Sequence, residues 1–188
     1  AFSTVSHLGL ITMLLGFGTP FAAVVAVFHI INHATFKAAL FMSAGIVDHE
    51  AHTRDIKRLG GLRHLMPVTF TIAAVAGLSL AGIPLFNGFL SFRLIVHTFL
   101  GPKRDDYPAK PHDPGFGMWA SPALLAVLVV LIGIMPALMV GPLVATASSA
   151  VIGGELPYYS LKIWHGVNTA LFLSITAVVG GLILLALH

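Results

Sequence analysis

The sequence of 188 residues contains no cysteine and little charge of either sign. The first absence excludes disulfides, thiolate metal sites and cysteine nucleophiles. The second is sharper: 9% of residues are charged, where soluble domains carry roughly 25%. Too few polar residues remain to cover a water-facing surface. With 57% hydrophobic residues and a mean hydropathy of +0.94, the bilayer is the expected solvent. The net charge of +3 sits in loops, which suits the bias of Lys and Arg toward cytoplasmic loops. A nucleic-acid partner would need basic residues clustered on a folded domain, so none is expected. No nucleophile–base constellation, phosphate loop or cofactor motif is present, so the expectation is neither an enzyme nor a cofactor protein. The start lacks an initiator methionine, a basic n-region and a small-residue cleavage site. AFSTVSHLGLITMLLGF reads instead as a helix already under way, in a piece of a longer membrane protein.

What is present is a series of apolar runs. Residues 4–18 are apolar but short of the ~20 residues a spanning helix needs. Gly18-Thr19-Pro20 ends them. Residues 20–47 are long enough to span, and DHEAHTRDIKRLGGLRHLM, 48–66, is the most charged stretch, expected as a loop in water or headgroups. The run 67–100 is interrupted near its middle by Gly82-Ile83-Pro84 and Asn87-Gly88. Backbone groups freed there are tolerated at membrane depth only inside protein or beside a wet cavity. The spacing therefore predicts a discontinuous helix, 67–81 plus 88–100, with a tight turn between two short helices as the alternative. A polar, Pro-rich loop, 101–120, precedes spans expected at 121–140 and 167–187, and Tyr158, Tyr159, Lys162 and Trp164 suit an interface. The reading is all-α: a single polytopic transmembrane helix bundle over 1–188. Both charged loops look cytoplasmic by their Lys and Arg, which requires an even number of crossings between them. The run 67–100 is comfortable only as one broken crossing, so either it is a hairpin or a helix is missing.

From Phe21 to Val47 the only ionisable side chains are His29, His33 and Lys37. They follow i, i+4, i+8 spacing, which keeps all three on one helical face about 6 Å apart along the axis. A lysine within the membrane costs about 2.5–3.5 kcal/mol on insertion scales, so its presence points to a protein-lined or wet environment. The stripe suits proton transfer, because desolvation favours neutral lysine and histidine titrates near neutrality. Thr35 and Ser43 offer hydroxyls nearby, although Thr35 lies elsewhere on the wheel. Snorkelling of Lys37 and a purely structural pairing with another helix remain alternatives. HIINH also has the spacing of a helical zinc pair, but with no Glu between the histidines and no cysteine, no metal is expected. His7 and Arg93 are secondary candidates, the first because it could face the same interior, the second because it follows the broken stretch. His49, His52, His64 and His112 fall in loops and are expected to be solvated.

At these residues the sequence is similar to a known family. FHIINHATFKAALF, then GIVDHEAHTRDIKRLGGLRHLMPVTF and LSLAGIPLFNGFLS, resemble the large antiporter-like subunits shared by Mrp-type sodium/proton antiporters and respiratory complex I. The DHE…TRDI…LGGL loop, HDPGFGMW and LKIWHG most resemble the A subunit of the Mrp type. The resemblance covers nearly the whole chain. It implies a helix bundle with broken helices and a midplane chain of lysines and histidines carrying protons. By position, Lys37 matches the family's central relay lysine and His29 and His33 its flanking histidines, while GIPLFNGF matches the break in a discontinuous helix. It further implies a multi-pass protein of the bacterial or archaeal plasma membrane, partnered by lipid and other antiporter subunits and moving protons and sodium. A proton-pumping component of complex I or a related hydrogenase is the alternative within the class. A structural scaffold with a silent ionic stripe is the alternative outside it. The chain departs from the family in three ways: the earlier helices with their glutamate–lysine pair are absent, Phe92-Arg93 replaces the lysine usual after GFLS, and FRLIVHTFLGP looks like the end of the next family helix. A junction between Ser91 and Phe92, with about one helix and its loop omitted, would account for these and for the even-crossing problem.

Overall fold

The computed structural model describes residues 2–80, 96–102 and 107–161, together with Phe172, Thr176 and Val179. Among the described residues every regular element is helical: α1 (Phe2–Gly16), α2 (Pro20–Ala51), α3 (Pro67–Leu80), α4 (Phe116–Ile134) and α5 (Pro136–Ile152). Short 3-10 turns lie at Ile56–Arg58 and Leu62–His64, and a π turn lies at Val96–Leu100. Two helices, α2 and α4, are long and apolar enough to cross a bilayer, and α3 and α5 are shorter apolar helices. The expected break at Gly82, Pro84, Asn87 and Gly88, Arg93 and the Ser91–Phe92 junction lie outside the described residues. So does most of the expected 167–187 span.

The chain divides into two compact units. One takes in the described part of Ala1–Thr35 and Val130–His165, the other the described part of Phe36–Val129 and Gly166–His188.

In the first unit, α1 ends where Phe17 and Gly18 donate back to Met13 and Leu15, and Gly18 turns the chain with φ +64°. Thr19 then opens α2: its hydroxyl accepts from the Ala22 N–H at 3.3 Å, and Pro20 occupies the first turn, where a missing N–H is harmless. At 32 residues, α2 is about 48 Å long, more than a ~30 Å hydrocarbon core requires. Its charged last turns can therefore reach beyond the lipid. Where the sequence suggested one span at 121–140, the structure ends α4 at Ile134 and begins α5 at Pro136. Pro136 has no N–H for the Ile132 carbonyl, and its ring crowds that turn. Met135 accordingly leaves helical geometry, with φ −131° and ψ 57°. The apolar composition runs through this boundary and hides it.

The second unit has a core of Ile46, Val47, Ala51, Leu59, Leu62, Met66, Ala73 and Phe99, flanked by Leu40, Leu65, Phe70, Tyr107 and Trp119. Residues 48–66, expected as a solvated loop, are thus only partly so. Asp48–Ala51 continue α2, while Leu59, Leu62 and Met66 are buried. Arg54, Lys57, Arg58, Arg63 and His64 stay exposed. The segment 107–113 is tied to this core. The Tyr107 hydroxyl donates to the Gly60 carbonyl, and Asp113 accepts from the backbone N–H of Val68 (2.8 Å) and Thr69 (3.0 Å) and from the Thr69 hydroxyl (2.8 Å). A carboxylate placed there satisfies the open N–H groups of α3 and complements its dipole.

Candidate functional site

In the first unit, α1 carries His7 against the early part of α2. His7 Nδ1 stands 2.9 Å from His29 Nε2, and the two rings stack with centroids 5.1 Å apart. The His7 ring also stacks on His33, at 4.8 Å, and the His29 and His33 rings are nearly parallel at 6.2 Å. All three are partly buried. Regular helix over Pro20–Ala51 keeps His29 and His33 one turn apart on one face, and α1 supplies the third ring opposite them.

This arrangement has a defined chemistry. In a hydrogen bond between two imidazoles one ring nitrogen donates and the other accepts, so the pair can hold one added proton between them. A proton taken up on the far nitrogen of one ring can be passed on from the far nitrogen of the other.

Lys37 continues the stripe one helical turn beyond His33, and it is partly buried. Its Nζ lies 5.8 Å from the centre of the Phe41 ring, within cation–π range. The neighbouring face of α2 is closed: Phe36 is 1% exposed and packs with Leu80 and Val129, and Ala39 and Ser43 are buried. The hydroxyls considered from sequence are both turned onto their own helix. Thr35 Oγ1 donates to the Asn32 carbonyl at 2.8 Å, and Ser43 Oγ to that of Ala39 at 2.8 Å. Among the described residues, no group of three His, Asp or Glu side chains is placed to hold a metal ion.

The structure therefore brings His7, His29 and His33 together and sets Lys37 on the same helix, while Arg93 lies outside the described residues. A further cluster was not foreseen. Glu50, 9% exposed, has His49 Nδ1 at 3.1 Å and His112 Nδ1 at 2.8 Å. The sequence put both histidines in solvated loops. Their rings are indeed mostly exposed, but each also meets a buried carboxylate. The available signal was helical spacing, since Glu50 falls three and four residues after the apolar Val47 and Ile46 on the buried face of α2.

Residues 1–101 match the family described as NADH:quinone oxidoreductase/Mrp antiporter, TM. The chain belongs to this family. As a family member it is a membrane protein, and its relatives carry antiporter names. The A/B subunit of a probable K+/H+ antiporter of Rhizobium meliloti is 45% identical, over 97% of this chain and 22% of its own length. The A subunit of a Na+/H+ antiporter of Alkalihalophilus pseudofirmus is 38% identical, over 98% of this chain and 30% of its own. In the solved structure of the Mrp complex from Dietzia sp., one polypeptide is 30% identical with a TM-score of 0.77, covering 99% of this chain and 24% of that one. This family member thus spans less than a third of the length of the relatives it matches.

Proposed function

We propose that this chain is the proton-transferring part of a monovalent cation/proton antiporter, in which Lys37, His33, His29 and His7 pass protons. The observation that carries this reading is the hydrogen-bonded, stacked histidine cluster of α1 and α2, one turn ahead of an intramembrane lysine. Ionisable groups in membrane helices are costly, and they mark ion and proton pathways. The full protein would sit in the plasma membrane with other antiporter subunits and act as a transporter, without enzyme chemistry. Sodium is the expected counter-ion from the sequence resemblance. One relative is named for potassium and another for sodium, so both ions belong in the test.

The matches also support the proposal of a junction at Ser91–Phe92. They extend over 218 residues in the Rhizobium relative and 245 in the Alkalihalophilus one, against 188 here, so those proteins carry internal residues that this chain lacks.

The deciding experiment places the full-length protein, with its partner subunits, in vesicles that have no other antiporter, and follows collapse of a pH gradient on adding Na+ or K+. The Lys37→Ala variant is expected to lose cation-driven proton flux by about tenfold or more, as befits an intramembrane charge kept for function. Full flux in that variant would instead support a silent structural stripe. Flux that requires electron transfer and ignores both cations would favour a complex I type of pump.

A further inference from the structure

We propose that Phe41 is a positioning residue for Lys37, its ring drawing the charged ammonium to the C-terminal side of position 37, away from His33. This deepens the relay proposed above and rests on it. Both residues belong to the second unit and to the same helix, α2. Phe41 follows Lys37 by four positions, so it extends the stripe His29, His33, Lys37 by one more turn. Helical side chains lean toward the N-terminus, which carries a ring at position 41 back over the turn that bears Lys37. By the same lean the Lys37 stem would run toward His33, and the ring gives its ammonium a partner on the other side. Lys37 Nζ stands 5.8 Å from the ring centre, within the ~6 Å over which a cation is drawn to an aromatic face.

Packing does not account for the ring. On the same helix Phe36 and Leu40 pack into the cores of the second unit, whereas Phe41 is 64% exposed. Other partners along α2 are remote or engaged. The next carboxylate, Asp48, is eleven positions from Lys37, about 16 Å of axial rise, and holds Arg54 at 2.8 Å. Ser43 is buried, its hydroxyl donating to the Ala39 carbonyl. Among the described residues Lys37 makes no ion pair.

A phenyl ring has the chemistry that such a post requires. Its face attracts a cation, yet it neither accepts nor releases a proton. The contact therefore exists only while Nζ carries its proton. The neutral amine feels no such attraction and is free to turn back toward His33. There it takes a proton from a charged imidazole: an N–H bond breaks at the ring nitrogen and forms at Nζ. His33 is left neutral, and the new ammonium is drawn to Phe41. Position thus follows charge at Lys37. A carboxylate in place of the ring would bind the ammonium more strongly and could take its proton.

The test uses the full-length protein with its partner subunits in vesicles, with Phe41 replaced by analogues carrying one, two or three ring fluorines. Fluorine removes negative charge from the ring face and nearly keeps its shape. Maximal cation-driven proton flux is expected to fall stepwise, by about threefold at three fluorines, the strength of one exposed contact of this kind. The half-saturating cation concentration should not move. Phe41→Leu should match the trifluorinated protein, and Phe41→Trp the parent. A second reading needs no transport: magnetic resonance in lipid should show dipolar coupling between a ring fluorine at position 41 and a labelled lysine nitrogen, lost in Lys37→Arg. With Lys37→Ala inactive, a flat fluorine series or an absent coupling overturns the role of Phe41 and leaves the relay standing. Full flux in Lys37→Ala overturns both.

Discussion

His7 and His29, 22 positions apart in sequence, share a hydrogen bond of 2.9 Å between Nδ1 and Nε2. The contact joins α1 to α2 through two groups that can each hold a proton. A glutamine at position 7 keeps a hydrogen-bonding side chain but cannot take up a proton near neutrality. His7→Gln in the full protein is therefore expected to assemble normally and to slow cation-driven proton flux by about tenfold, a change of ~1.4 kcal/mol in the barrier. Flux measured in vesicles at matched protein content checks this, and an unaltered rate would remove His7 from the path.

Lys37→Arg tests whether the lysine must change charge. Arginine retains the positive charge and a comparable reach, but it does not release its proton in proteins. The variant is expected to be as inactive as Lys37→Ala in proton flux, while its abundance in the membrane stays normal. If arginine supports transport, the role of position 37 is electrostatic and a proton does not pass through it.

At the other end of the second unit, Asp113 accepts three hydrogen bonds from Val68 and Thr69. Asp113→Ala should cost about 1–2 kcal/mol, the range of a lost helix cap. Asp113→Asn keeps an acceptor oxygen and should cost less. The amides at the start of α3 should lose hydrogen-exchange protection first, which distinguishes local fraying from general unfolding.

Leu62 and Lys57 lie in the same charged stretch with opposite fates, the first fully buried and the second exposed. Leu62→Ala is expected to destabilise by about 2–5 kcal/mol, as for a large-to-small change in a packed core. Lys57→Ala should stay within about 0.5 kcal/mol of the parent. Thermal unfolding in a single detergent compares the two directly, and equal effects would mean that the loop is not packed as described.

These contrasts show which features of the chain could be read from sequence. The stripe His29, His33, Lys37 was legible because one helix fixes its spacing, and an interrupted charge pattern stands out in an apolar run. The partnership of His7 with that stripe was not, since helical periodicity says nothing about which neighbouring helix faces it. Residues 48–66 were read by composition, and their lysines and arginines do remain outside, whereas Glu50 is buried. The buried Leu59, Leu62 and Met66 between those charges become core only because Ala73 and Phe99 meet them. Asp113 and His112 act on partners more than forty residues away, beyond any local signal. Pro136 was a local signal, and uniform hydrophobicity on both sides concealed it.

Phe36, 1% exposed between Leu80 and Val129, is the residue next to Lys37. Adjacent positions on a helix point about 100° apart, so α2 cannot turn about its axis to present Lys37 elsewhere without pulling Phe36 from its socket. Emptying such a socket costs about 3–5 kcal/mol when phenylalanine is cut to alanine. Rotation of the helix is in effect keyed. Any swing that carries the ammonium from one neighbour to another must come from the four side-chain torsions of Lys37, with the backbone standing still.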